Sequence, residues 1–136
     1  QGKFEEGLDK LLPLEEEYGD WWNLLFIIGI AYKNMGEMDK AILYFEKILI
    51  IKPKQVDTLV ELALCEASTL NMNRAIELLE AAAKLKEDPE ILCNLGMAYL
   101  NVGNFDDANY YIERAYELNP EDEVTVACKR ELAKYI

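Results

Sequence analysis

The sequence contains no histidine, and this absence removes the chemistry most often found in active sites. Histidine is the usual general base near neutral pH and a common ligand of transition metals. Without it, neither a Ser–His nor a Cys–His pair can form. The sequence also lacks a glycine-rich phosphate loop and an acidic calcium-binding loop. We therefore predict that the chain is not an enzyme, and that it holds no cofactor and no metal.

Cysteine is scarce, with only Cys65, Cys93 and Cys128 in the chain. Their number is odd and none belongs to a C-x-x-C motif, which fits free thiols in a reducing compartment better than a disulfide framework. We expect each cysteine to be a small buried hydrophobe within a helix. A cytoplasmic location follows as the prediction.

Basic residues and long apolar runs are also in short supply. The chain has 14 Lys and Arg against 26 Asp and Glu, which gives a net charge of -12. Such an acidic surface repels phosphate groups, so we expect neither nucleic acid nor a membrane as a partner. The charge serves either solubility alone or the choice of a basic partner. No apolar run approaches the roughly 20 residues of a membrane span, and no signal peptide is visible.

The chain does contain an internal repeat. The pattern Leu-x-x-Ile-Gly-x-x-Tyr at 25–32 returns as Leu-x-x-Leu-Gly-x-x-Tyr at 92–99. A fainter copy lies between them, in which Ala63 takes the place of Gly29 and Gly96. The steps from Gly29 to Ala63 and from Ala63 to Gly96 are each about 34 residues long, a period typical of helix-turn-helix repeat arrays.

Small residues occupy fixed places in this repeat, because helix axes about 8 to 10 Å apart require them where two helices cross. The same period separates three alanines of the second helices. We therefore expect all the small residues of the pattern to be buried: Gly29, Ala41, Ala63, Ala75, Gly96 and Ala108.

At these residues the sequence resembles the tetratricopeptide repeat (TPR) family. It departs from the family pattern at Leu25 and Leu92, where the family prefers Trp, and at Glu66, where it prefers Tyr. The resemblance implies an all-α fold, a right-handed superhelical α-solenoid of antiparallel helix pairs with a C-terminal capping helix. About eight helices and no strands are expected.

We expect a single TPR array over residues 1–136. The turns of the first and third repeats contain glycine, whereas in the second we expect Asn71 to take the left-handed conformation. Lys129 and Arg130 stand in the closing helix in register with Leu95 and Gly96 and predict a polar terminal cap. The expected parts are the second helix of a partial repeat over 1–21, full repeats over 22–55, 56–88 and 89–122, and the capping helix over 123–136.

The beginning of the chain carries its own expectations. Gln1 is not a natural first residue, which indicates a piece of a longer protein, and the first helix lacks the other half of its repeat. Pro13 should kink or break that helix. We expect it to be the least stable element, with the fastest hydrogen exchange over residues 3–18, and a possible site of self-association.

The family resemblance also implies a function. In TPR arrays the first helix of each repeat lines a concave groove that binds a partner protein. The family's clamp for a peptide carboxylate uses Lys and Asn where this chain has Phe26 and Ile30, so that clamp does not carry over. The groove residues implied by alignment are Asn23, Phe26, Ile30, Lys33, Asn34, Asp57, Val60, Glu61, Leu64, Glu90, Cys93, Asn94, Met97, Leu100 and Asn101.

An apolar groove rimmed by carboxylates suits a peptide or helix with basic flanks, with asparagines bonding its backbone. A simpler interpretation is that these apolar residues only pack against neighbouring helices. The predicted function is a protein–protein interaction scaffold. The alternatives are a regulatory or tethering TPR region of a larger enzyme, such as a glycosyltransferase, and a self-association module.

Overall fold

The structure is a computed structural model that describes residues 21–136. This part of the chain is all α-helical and contains no strand. The expected first helix, its break near Pro13 and its part in self-association lie outside the described residues. The seven described helices are α1 (Trp22–Asn34), α2 (Met38–Ile51), α3 (Val56–Ser68), α4 (Met72–Leu85), α5 (Pro89–Asn101), α6 (Phe105–Leu118) and α7 (Glu123–Leu132).

Helix boundaries follow from local capping chemistry. The Asp88 carboxylate accepts the backbone N–H of Glu90 at 2.8 Å, and Pro89 takes the first helical position of α5, where no donor is needed. The closing helix α7 ends at Leu132, before the end of the expected capping helix at 136. It begins at Glu123, because the Asp122 carboxylate accepts the backbone N–H of Thr125 at 2.9 Å and so caps the helix.

The helices form two compact units that divide after Asn71. In the described part of the first unit, α2 packs against both α1 and α3. In the second unit, α5 packs against α4, α6 and α7, and α7 also contacts α6. Each unit has its own buried residues, with Phe45 fully buried in the first and Ile112 in the second.

The predicted small residues are all buried, which confirms that expectation. In the first unit, a Cβ added to Gly29 would lie 2.6 Å from the ring of Phe45. In the second unit, a Cβ added to Gly96 would lie 2.5 Å from Cγ1 of Ile112. Both separations are far below van der Waals contact, so glycine is what allows the two helices of each pair to approach.

The left-handed residue of the second repeat is Leu70, and the expectation of Asn71 is wrong. Leu70 has φ 67°, and it occupies the turn position at which the other two repeats have Gly36 (φ 81°) and Gly103 (φ 82°). Asn71 holds the turn in another way. Its backbone N–H donates to the Glu66 carbonyl at 2.8 Å, and its side-chain amide donates to the Glu66 carboxylate at 2.8 Å.

We predict that Leu70→Gly stabilises the protein. The side chain is 88% exposed, so its removal sacrifices little packing. The left-handed conformation costs a non-glycine residue about 1 to 2 kcal/mol, a cost that glycine avoids. Glycine loses more conformational entropy on folding, and this loss offsets about 0.5 to 1 kcal/mol of the gain. Denaturant unfolding should show a net gain of about 0.5 to 1 kcal/mol. The reverse change, Gly103→Leu, has open space around its Cβ and should cost a similar amount. Equal stability of both variants and the parent would contradict this account.

We also predict that Ala108→Leu destabilises the protein by about 1 to 3 kcal/mol, because three further heavy atoms must enter a fully packed crossing. The matched control is Ala133→Leu, which adds the same atoms at an exposed position. Thermal or urea unfolding should separate the two variants clearly. If both unfold together with the parent, Ala108 does not lie at a tight crossing.

Candidate functional site

The predicted groove residues of the first unit lie on α1 and α3. The polar residues Asn23, Asn34 and Asp57 are exposed, as contact with a partner would require. The apolar residues at these positions are half-buried: Ile30, Val60 and Leu64. This face therefore presents partly covered apolar surface with polar groups around it.

Phe26 is shared between the interior and the surface. Its ring centroid lies 5.7 Å from that of Phe45, in a tilted arrangement, and 6.3 Å from that of Trp22, edge to face. Aromatic pairs at these distances stabilise packing. The half-buried ring therefore supports the first unit and leaves only part of its surface open to solvent.

Lys33 and Glu61 bind each other across α1 and α3. The Lys33 ammonium lies 2.7 Å from one Glu61 carboxylate oxygen and 3.2 Å from the other. The two side chains are only 26% and 17% exposed. The two residues were expected as separate groove contacts, yet the structure uses them as an internal ion pair. Sequence reasoning missed the pair because 28 residues separate its members, and no periodic signal links them.

In the second unit, Asn94, Met97 and Leu100 of α5 are half-buried, while Glu90 and Asn101 are exposed. Cys93 is a correction to the predicted groove, because it is fully buried. Its Sγ lies 3.5 Å from Oγ1 of Thr125, so α7 covers the position. The family alignment placed Cys93 on the groove side without allowing for the helix that packs over it.

An open cleft of about 460 Å³ lies between α5 and α7, and we call it the α5–α7 cleft. Its apolar lining includes Val124, which is 49% exposed, and the exposed Ala127. Glu123 and Glu131 stand eight residues apart on α7, which is about 12 Å along the helix axis at 1.5 Å per residue. The complete lining is Met97, Glu123, Val124, Ala127, Cys128 and Glu131.

The α7 side of this cleft was missed because α7 was interpreted as a polar cap. Its polar side faces α6 instead: the Lys129 ammonium lies 3.1 Å from the Glu113 carboxylate and 4.1 Å from the centre of the Tyr116 ring. The opposite side of α7 carries the apolar Val124 and Ala127 between two glutamates. The repeat period could have indicated this side of the cleft, because Val124 stands one period after Glu90 and Glu90 is a groove position in the alignment.

A tyrosine cluster joins α4, α5 and α6 elsewhere in the second unit. The rings of Tyr99 and Tyr111 stack with centroids 5.7 Å apart, and the Tyr99 hydroxyl donates to the Glu80 carboxylate. Burial raises the pKa of both phenols, and Glu80 raises it further, at Tyr99 through their hydrogen bond and its charge and at Tyr111 through its charge alone. Both therefore stay neutral hydrogen-bond donors near neutral pH, which suits a structural role.

The described part of the chain offers little else for chemistry. Among residues 21–136, no three side chains of the metal-ligating types come together. None of the described helices is both long and apolar enough to cross a membrane. Cys65 is buried, and its burial raises the pKa of its thiol to about 11. The surfaces that remain as candidate sites are the α1–α3 face of the first unit and the α5–α7 cleft of the second.

The chain is similar to known proteins both in sequence and in fold. Photosystem I assembly protein Ycf3 of Prochlorococcus marinus (strain NATL2A) is 28% identical over 127 residues, covering 85% of this chain and 73% of the relative. The crystal structure of MamA matches with a TM-score of 0.85 at 16% identity, covering 98% of this chain and 93% of that one. YrrB, described as a TPR protein with an unusual peptide-binding site, matches with a TM-score of 0.86 at 14% identity, covering 95% and 67%.

Two segments also match the family model described as Tetratricopeptide repeat, at residues 23–55 and 89–122. The solved structures show the same all-α, TPR-type solenoid fold. With the period, the buried small residues and the turn positions described above, these matches identify the chain as a helical repeat protein of the tetratricopeptide repeat family.

Proposed function

We propose that this TPR chain is an interaction scaffold that reversibly binds a segment of a partner protein and performs no chemistry. The observation that carries the proposal is the α5–α7 cleft, where apolar side chains of two packed helices stay open to solvent. Val124 and Met97 could each be covered without any change in the helices that hold them. Ligand sites are typically concave and mostly apolar in this way.

The charges at the cleft favour a basic partner. Glu123 and Glu131 stand at the two ends of its α7 side, and Glu90 is exposed in the first turn of α5. Glu131 also pairs with Lys134 at 2.9 Å, but an exposed pair of this kind is weak, so a Lys or Arg of the partner can replace Lys134. The overall charge of -12 would raise the association rate of a basic segment at low salt.

The α1–α3 face of the first unit would contribute a second binding surface. Ile30, Val60 and Leu64 offer half-buried apolar area, and Asp57 offers a carboxylate. Glu61 is excluded from direct partner contact by its ion pair with Lys33. The exposed or half-buried asparagines can each donate and accept a hydrogen bond and would recognise the partner's backbone: Asn23, Asn34, Asn94 and Asn101.

Relatives support a protein ligand. Ycf3 is named as an assembly protein, and YrrB is described as having a peptide-binding site. For this chain we propose a ligand of the same class, a segment of another protein. A partner held in an apolar cleft with carboxylates at its ends is an amphipathic helix or extended segment with basic residues beside one apolar anchor. All three cysteines are free thiols, which supports the cytoplasm as the place of action.

The proposal predicts that a charge introduced into the cleft abolishes most of the binding. A partner is first captured from the native extract on the immobilised chain, identified by mass spectrometry and prepared as a purified segment. Calorimetry should give a micromolar Kd, about -8 kcal/mol. Ala127→Glu buries a carboxylate under the bound segment and should weaken binding at least about tenfold, which is about 1.4 kcal/mol.

The matched control is Ala133→Glu, which makes the same change at an exposed position outside the cleft lining. It should bind within about twofold of the parent. If both variants bind like the parent, the α5–α7 cleft is not the site. Loss of binding in Ile30→Ala alone would then place the site on the α1–α3 face.

A further inference from the structure

Two of the three thiols meet inside the second unit. Cys93 of α5 and Cys128 of α7 belong to the same buried cluster. The Cys93 sulfur lies 3.5 Å from Oγ1 of Thr125, which stands about one helical turn before Cys128 on α7. The remaining thiol, Cys65, belongs to α3 of the first unit. Side-chain packing therefore selects one pair of cysteines that stand far apart in sequence, in two different helices.

The two sulfurs differ in access. Cys93 is fully buried, whereas Cys128 is 9% exposed and lines the open α5–α7 cleft. A small reagent that enters the cleft can therefore reach Cys128 first. Cys93 lies in the same buried cluster as Cys128, away from solvent. This is the arrangement of an attacking thiol backed by a resolving thiol.

Hydrogen bonds favour one thiolate in this pair. The bond from the Cys128 thiol, assisted by Thr125 and opposed by burial, lowers the pKa of Cys93 to about 7. The same bond raises the pKa of Cys128, because the pair then shares a single remaining proton. Transfer of that proton from Cys128 to Cys93 moves the charge to the accessible sulfur. The thiolate is the reactive form of cysteine.

The Thr125 hydroxyl can follow this charge. It donates its proton to the Asp122 carboxylate at 2.9 Å and lies 3.5 Å from the Cys93 sulfur. A hydroxyl has one proton and two acceptor lone pairs. It accepts from Cys93 while that group is a thiol, and it can turn to donate to Cys93 once the sulfur is anionic. Both protonation states of the pair thus keep a hydrogen-bond partner.

We propose that Cys93 and Cys128 form a modification site, a dithiol that a small-molecule disulfide converts reversibly into an intrachain disulfide joining α5 to α7. The Cys128 thiolate attacks one sulfur of the reagent, forming a mixed disulfide and releasing one small thiolate. The Cys93 thiolate then attacks the Cys128 sulfur and releases the second. Two electrons pass to the reagent, and the two protein protons end on the two released thiols.

The dithiol does not require a partner for its chemistry, although Cys128 lines the cleft that we propose for the partner. The new bond would join the two helices that form the cleft walls at the sulfur that lines it. Reduction by a small thiol reverses both steps and restores the pair. In a reducing compartment the dithiol is the resting form, and a rise in the disulfide pool drives the closure.

The test uses the folded chain and glutathione disulfide as the reagent. After incubation near neutral pH, the protein is quenched with acid, unfolded, alkylated and mapped by mass spectrometry. The expected product has lost two hydrogens, contains a Cys93–Cys128 disulfide, and has Cys65 alkylated. Dithiothreitol should return all three thiols. Three alkylated cysteines, a stable glutathione adduct as the main product, or a disulfide that includes Cys65 would each overturn the proposal.

Variants assign the two roles. Cys93→Ala should stop at the mixed disulfide on Cys128, and Cys128→Ala should not react. Cys65→Ala is the matched control and should react like the parent. Circular dichroism verifies that each variant is folded. If a variant does not fold, the mass-spectrometric map of the parent protein decides whether the Cys93–Cys128 disulfide forms. In urea the preference for the Cys93–Cys128 pair should disappear; the same preference in the unfolded chain would show that the fold does not create the site.

Discussion

The described structure depends on one kind of contact, a large side chain of a second helix seated against a glycine of the first. Phe45 fills the space above Gly29, and Ile112 fills the space above Gly96. Because the glycine has no Cβ, the helices approach closely enough for the large side chain to be fully buried. The turn residues and helix caps only direct the chain into this contact. Their own contributions are smaller, since a cap is worth about 1 kcal/mol.

The sequence was sufficient for this framework because the framework is periodic. The repeat period, the buried small residues and the TPR resemblance all rest on spacing, and spacing is visible without coordinates. The turn shows where this reasoning fails. Glu66 and Asn71 preserve the same backbone hydrogen bond that Tyr32 forms with Glu37 in the first repeat, so the geometry of the turn persists while its residues change. Propensity favoured Asn71 as the left-handed residue, whereas the register of the repeat required Leu70.

The candidate site was less predictable, because it depends on contacts that no period encodes. Alignment placed the helices that carry the site but not the direction of every side chain. Lys33 is taken up by Glu61, and Cys93 is covered by α7. Lys129 contacts Glu113, so its charge does not face the cleft on the other side of its helix. Each outcome depends on which neighbour a side chain meets in space. The composition correctly drew attention to an acidic surface, but it could not locate the cleft.

The placement of α7 has a thermodynamic consequence. The same helix covers Cys93 in the interior of the second unit and forms one wall of the cleft. Detachment of α7 would therefore open the core and destroy the cleft in a single event. A molecule bound between α5 and α7 makes the detachment of α7 less favourable, because it binds only while the cleft is intact. At a concentration one hundred times its Kd, the added protection is about 2.7 kcal/mol. A bound molecule would therefore slow amide hydrogen exchange at the C-terminal end of the chain.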